Sequence, residues 1–114
     1  MPSLPFSAEL HLSASPGESG RRTICTVPDG YRLRVEEMVV AWPACTYGEL
    51  RVRLMCGEMP AIPSTGWATG DNATLRYTGV AEYGSGQPVE VAFENTSSTD
   101  AHECFIVVRG TLEG

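Results

Sequence analysis

Apolar and polar residues alternate at period two along most of this chain, and short runs of turn formers interrupt the alternation. The stretch Val27-Pro28-Asp29-Gly30-Tyr31-Arg32-Leu33-Arg34-Val35 contains both halves of the pattern. Proline pre-sets the first turn angle, Asp bonds back to its own backbone, and Gly accepts the left-handed conformation. Tyr31, Leu33 and Val35 then alternate with Arg32 and Arg34, which puts one face in a core and the other in water. The same pattern recurs to the C-terminus, and no helical periodicity interrupts it. The expected class is all-β.

Eight strands follow from the alternation. The first, Phe6 to Ser13, sets Phe6, Ala8, Leu10 and Leu12 against Ser7, Glu9, His11 and Ser13, and a Ser15–Gly20 turn leads to a second over Arg21 to Val27. The third, Tyr31 to Trp42, changes phase: Tyr31, Leu33 and Val35 are odd, whereas Met38, Val40 and Trp42 are even. One extra residue near Glu36-Glu37 restores the register, either as a β-bulge or as a bend where the strand changes sheet. Leu50, Val52, Leu54 and Cys56 point inward on the fourth strand, with Arg51, Arg53 and Met55 outward. A short edge strand is expected at Glu58 to Ile62, because Pro60 and Pro63 limit its pairing. Ala73, Leu75 and Tyr77 mark the sixth strand, and Val89, Val91 and Phe93 the seventh. The last, Glu103 to Thr111, carries Phe105-Ile106-Val107-Val108, apolar on both faces, as suits a central strand or one covered by a neighbouring subunit.

Eight short strands in 114 residues predict one domain (1–114, with 1–5 as a short N-terminal arm) built as an antiparallel β-sandwich. Jelly-roll topology fits best, with two four-stranded sheets. An immunoglobulin-like sandwich is the runner-up, although the cysteine and tryptophan spacing that marks it is missing.

Composition narrows the function classes. A formal charge of −6 argues against nucleic acid as partner, since phosphate binding needs clustered positive charge. All eight basic residues are Arg, so neither a Schiff-base lysine nor a phosphate-loop lysine is available. A GC-rich coding sequence accounts for this bias, as does selection for bidentate contacts at an interface. Met1 to Phe6 lacks the pattern of a signal peptide, and no apolar run reaches the ~20 residues of a membrane span. Cys25, Cys45, Cys56 and Cys104 contain no C-x-x-C pair, and buried free thiols are expected in preference to two bridges.

No residue pattern points to catalysis or to a cofactor. His102-Glu103-Cys104 holds metal-ligand residue types, but adjacent strand residues face opposite ways and two more donors would be needed. His11 has no partner in sequence, and a cupin-like metal site would require several inward histidines. Asp100, His102 and a serine would have to form any nucleophilic relay, and there is no Gly-x-Ser-x-Gly elbow. The adjacent Glu36 and Glu37 cannot straddle one glycosidic bond; one of them is expected opposite Arg51 or Arg53. Asn72-Ala73-Thr74 and Asn95-Thr96-Ser97 match the glycosylation pattern by chance.

Aromatics on loops are the better binding signal. Trp67 lies in the long irregular segment Pro63 to Asn72, with Tyr47 and Tyr83 in two other turns. Trp67 either stacks on a sugar or protein partner or folds back over an open end of the sandwich. Trp42 is expected in the core. Trp67, Tyr47 and Tyr83, with outward Arg51 and Arg53, are the candidate interface residues.

Three segments carry a resemblance to a family. The turn Val27 to Leu33, the segment Val91-Ala92-Phe93-Glu94-Asn95-Thr96-Ser97, and Phe105-Ile106-Val107-Val108-Arg109-Gly110 resemble small single-jelly-roll virion proteins. These are decoration, cement, spike or minor capsid components of tailed phages and related viruses. The likeness spans about two-thirds of the domain and rests on turn and strand patterns. It implies a non-enzymatic structural protein, made in the host cytoplasm and residing in the virion. It further implies a homotrimer or other closed oligomer that contacts a major capsid or other virion protein. No nucleic acid, membrane, metal or cofactor belongs to that expectation. No functional residue carries over, and the long N-terminal arm of many such proteins is missing here. The alternative expectation is a carbohydrate-binding or adhesin-like module with a glycan ligand.

Overall fold

The computed structural model describes residues 3–114. Its strands are β1 (Ser3–Ala14), β2 (Ser19–Thr26), β3 (Arg32–Trp42), β4 (Leu50–Cys56), β5 (Met59–Ile62), β6 (Ala73–Tyr83), β7 (Pro88–Asn95) and β8 (His102–Glu113). There is no helix among the described residues, and hence none long and apolar enough to cross a membrane.

Pairing defines the topology. One sheet has the order β1-β8-β3-β6 and the other β2-β7-β4-β5, and every pairing is antiparallel. Strand 1 thus pairs with 8, 2 with 7, 3 with 6 and 4 with 5. A single long hairpin ribbon, folded at the β4–β5 turn and rolled so that its halves stack, gives this order. That is the jelly roll, and the immunoglobulin-like arrangement is excluded. The inner faces meet in one core that includes Leu33, Val35, Met38, Val40, Val52, Leu54, Val91, Phe93, Ile106 and Val108, each no more than 2% exposed.

The phase change in β3 is a bulge. Val35 pairs with Gly110 and Glu37 with Arg109, so Glu36 is the extra residue against β8, and the register also shifts against β6. The chain stays in one sheet throughout, so the bend between sheets does not occur. The double apolarity of β8 likewise has a plain origin. It is a central strand with Cys104, Ile106 and Val108 inside, while Phe105 remains 46% exposed on the outer face.

Several expectations need correction. The first strand begins at Ser3: Ser3, Leu4 and Pro5 pair with Glu113, Leu112 and Thr111, so this part of the presumed arm is strand. Leu4 simply continues the alternation of Phe6 and Ala8, β8 is long enough to receive it, and Pro5 is tolerated because β1 is an edge strand. Met1 and Pro2, the rest of that arm, lie outside the described residues. Met55, expected outward, is buried, and Cys56 is half-buried, because the β4–β5 register shifts between Leu54 and Met55.

The acidic pair Glu36-Glu37 does not meet Arg51 or Arg53, which belong to the other sheet. Glu37 accepts hydrogen bonds from Arg76 Nε (2.7 Å) and Arg109 (2.9 Å) on the two strands flanking β3, and Glu36 lies 3.4 Å from Arg34. The Arg76 hydrogen bond, helped by Arg109, holds the Glu37 carboxyl below the usual carboxylate range. A depressed folded pKa stabilises the protein above the unfolded carboxylate pKa, and the benefit disappears as pH falls through the depressed value. Glu37→Gln is therefore expected to lower Tm at neutral pH, with the gap from the unaltered chain closing in acid. A gap that stayed constant across that window would contradict this assignment.

Candidate functional site

Three of the five candidate interface residues come together on the outer face of the β2-β7-β4-β5 sheet. Beyond the short β5, the long loop returns along the vacated edge of β4. Val52 and Ala68 exchange both backbone hydrogen bonds there, at 3.0 and 2.8 Å. Both of these side chains are fully buried, so their sequence neighbours Arg51, Arg53 and Trp67 point to the opposite, outer face. The guanidinium carbons of Arg51 and Arg53 lie 4.8 and 4.1 Å from the Trp67 ring centre. Trp67 is half-buried under this cover. It neither plugs an end of the sandwich nor waves free on a loop.

Charge on this face is unevenly matched. Arg51 donates to Glu94 at 2.9 Å. Arg21, on the same face two strands away, reaches Gly57 O, Glu90 and Glu58 at 2.9 to 3.3 Å. Arg53 has no carboxylate partner among the described residues, and the Nε atoms of Arg51 and Arg53 are buried without an acceptor. A stacked aromatic with an unpaired guanidinium beside it matches the composition of protein-contact hot spots.

The other two candidates separate. Tyr47, at the tip of the β3–β4 loop, is 67% exposed in a left-handed conformation (φ 54°). The neighbouring Cys45 side chain first, then partial desolvation and the negative charge of Asp71 and Asp100, push its phenol above the usual tyrosine range. Tyr83 is not a turn residue. It ends β6, is 2% exposed, and donates its hydroxyl to Met55 O across the core at 2.7 Å. Gly84-Ser85-Gly86 begins one residue later than the sequence implied, and the inward alternation of Ala81 carries Tyr83 into the core. Tyr83 is removed from the interface set.

Of the chemistry weighed from sequence, Cys104 is buried, and desolvation raises its thiol to about 12. It shares no site with His102, whose Nε2 lies 2.9 Å from Glu49. His11 stacks on Phe105 with ring centres 4.6 Å apart and contacts Glu103 at 3.2 Å. Ser97, the serine beside Asp100, accepts the backbone N–H groups of Thr99 and Asp100 and serves as a turn cap. Cys25, Cys45, Cys56 and Cys104 are all free thiols: Cys104 is buried as expected, Cys25 and Cys56 half so, and Cys45 is exposed.

Asn95 is the residue whose role the sequence concealed. Inside a glycosylation pattern, it is 1% exposed and donates to Ala14 O, Ser15 O and Asp100 O while accepting from Ser97 N–H. It knots the β1–β2 and β7–β8 loops together. Its position just after the inward Val89-Val91-Phe93 alternation is the signal that could have found it.

No protein-family model matches the chain, and no curated protein matches it. Among solved structures, it is similar to a chain of the cyanophage Pam1 capsid asymmetric unit, with a TM-score of 0.57 and 9% identity, covering 97% of this chain and 85% of that one. A chain of the acid-stable capsid of Helicobacter pylori bacteriophage KHP30 aligns with a TM-score of 0.46 and 13% identity over 96% and 91% of the two chains. One from the Gx strain of infectious bursal disease virus aligns at 0.46 and 10% over 98% of this chain and 37% of that one. The Pam1 likeness establishes a shared fold across nearly the whole chain.

Proposed function

We propose that this chain is a non-enzymatic structural protein of a virion, which self-associates into a homotrimer or other closed oligomer and decorates or cements the shell. The observation that carries the proposal is the jelly-roll fold, whose likeness to a chain of the Pam1 capsid asymmetric unit extends over 97% of this chain. The solvent-facing surface supports it. Leu4, Tyr47, Met59, Val80 and Phe105 are large apolar side chains left 46 to 70% exposed. Such residues suit repeated contacts between copies, where closed symmetry multiplies each weak contact.

In this proposal Trp67, Arg51 and Arg53 form the copy-to-copy contact, while Tyr47 and the loop end around it face the major capsid or another virion protein. Arg53→Glu is expected to weaken self-association by roughly tenfold or more, since it reverses the one unpaired charge of the patch. Tm of the dissociated chain should fall only modestly, by the stacking of Arg53 on Trp67 that is lost. Sedimentation velocity across a dilution series measures the first effect and a thermal melt the second. Unchanged association would remove the patch from the contact.

The glycan-binding alternative has a weaker basis. A sugar would need the Trp67 ring, over which two guanidinium groups already lie. It predicts that Trp67→Ala abolishes binding on a glycan array. Silence of the unaltered protein on that array would end it.

A further inference from the structure

At the end of the sandwich where the β3–β4 and β7–β8 loops meet, residues far apart in sequence converge on an open depression of about 590 Å³. Cys45, Tyr47, Asp100 and His102 are among its lining residues. The His102 side chain is only 7% exposed, yet its Nε2 is directed at Glu49 Oε1, 2.9 Å away. A carboxylate oxygen of Asp100 completes a set of three donor atoms that all lie within 4.8 Å of one another. Donors held 2.0–2.2 Å from a zinc ion stand roughly 3–4.4 Å apart, so only a small contraction is needed to enclose one.

The donors are not a loose acidic patch. The imidazole nitrogen is a borderline ligand that Mg²⁺ and Ca²⁺ use poorly and that Zn²⁺ and its neighbours prefer. The backbone that carries each carboxylate is held in place. Glu49 O accepts from both the N–H and the hydroxyl of Thr96 at 2.8 Å. Asp100 is pinned through its N–H to Ser97 Oγ and through its carbonyl to Asn95 Nδ2, each at 2.9 Å. The end of the β3–β4 loop, the β7–β8 loop and the β8 start therefore each deliver one donor, and the depression leaves room for further ligands. These hydrogen bonds fix the positions from which the two carboxylates project toward His102.

We propose that Glu49, Asp100 and His102 form a site for a divalent transition metal of the Zn²⁺ type, with its remaining coordination positions open to the depression. The metal would bridge the β3–β4 and β7–β8 loops, replacing the direct His102–Glu49 contact. This proposal is independent of the virion reading and of any oligomer.

The test is isothermal titration of the chelator-treated full chain with zinc chloride, run beside manganese and calcium chlorides, with thermal melts in each salt. One equivalent of Zn²⁺ is expected to bind and raise Tm, with Ca²⁺ weakest. Asp100→Asn is the informative variant, because this exposed side chain has no hydrogen-bond partner among the described residues. It should weaken Zn²⁺ binding roughly tenfold or more while leaving the metal-free Tm unchanged, and Glu49→Gln should weaken binding similarly. Cys45→Ser should bind as the unaltered chain does. Absence of saturable Zn²⁺ binding overturns the proposal, as does unchanged affinity in Asp100→Asn and Glu49→Gln.

Discussion

Gly110→Ala is expected to leave little folded protein, the largest effect of any single methyl group in this chain. Gly110 lies in β8 between Phe6 of β1 and Val35 of β3, beside the bulge at Glu36. The bulge pushes β3 backbone toward β8, so a Cβ on residue 110 would collide with the Arg34 carbonyl group, with Val35 Cα only 2.8 Å away. Neither strand can yield, because both are central in their sheet. Overpacking against a flexible side chain costs about 1–3 kcal/mol, and a collision with backbone should exceed that range. Gly17→Ala is the control. It has open space around its Cβ position but a φ of 72°, so only the left-handed penalty of about 1 kcal/mol applies. Urea unfolding of the two variants compares them directly, and equal midpoints would refute the close packing at the bulge.

Asn95→Ala should come next, at about 3 kcal/mol. The substitution removes the donor to three carbonyl groups and the acceptor for Ser97 N–H, at a position 1% exposed. Each buried group left without a partner costs about 1–3 kcal/mol, less where water can enter. Asn95→Asp separates hydrogen bonding from shape. It keeps the volume and the acceptor for Ser97, but presents a carboxylate to carbonyl oxygens. It is therefore expected to destabilise at least as much as alanine at neutral pH. An aspartate variant as stable as the unaltered chain would show that the network contributes little.

Much of the fold was legible because strands advertise themselves locally. The switch from odd to even inward positions in β3 placed the irregularity near Glu36-Glu37, and pairing decided that it is a bulge. The apolar run in β8 fitted a central strand or one covered by another subunit, and strand order makes it central. What failed was set by partners remote in sequence. Met55 turns inward because of a register shift against β5. Tyr83 was assigned to a turn from the glycines that follow it, although its alternation with Ala81 favoured the core.

The candidate site was half readable for the same reason. Period two put Arg51 and Arg53 on the outer face, and Trp67 stood out among small polar residues. That all three share one surface depends on the Val52–Ala68 bridge, which no spacing announces. Glu37 found its arginines on β6 and β8 rather than on β4, since strand order decides which charges meet. Glu49, Asp100 and His102 converge only once two loops 50 residues apart are brought together by the roll.

The proposed role requires the outer surfaces of this sandwich to join copies into a closed assembly. Size-exclusion chromatography with light scattering, on purified chain over a wide concentration range, tests it most directly. A discrete species of three or another small whole number of chains, persisting on dilution, is the predicted result. A species with the mass of one chain at every concentration would rule out self-assembly through these surfaces.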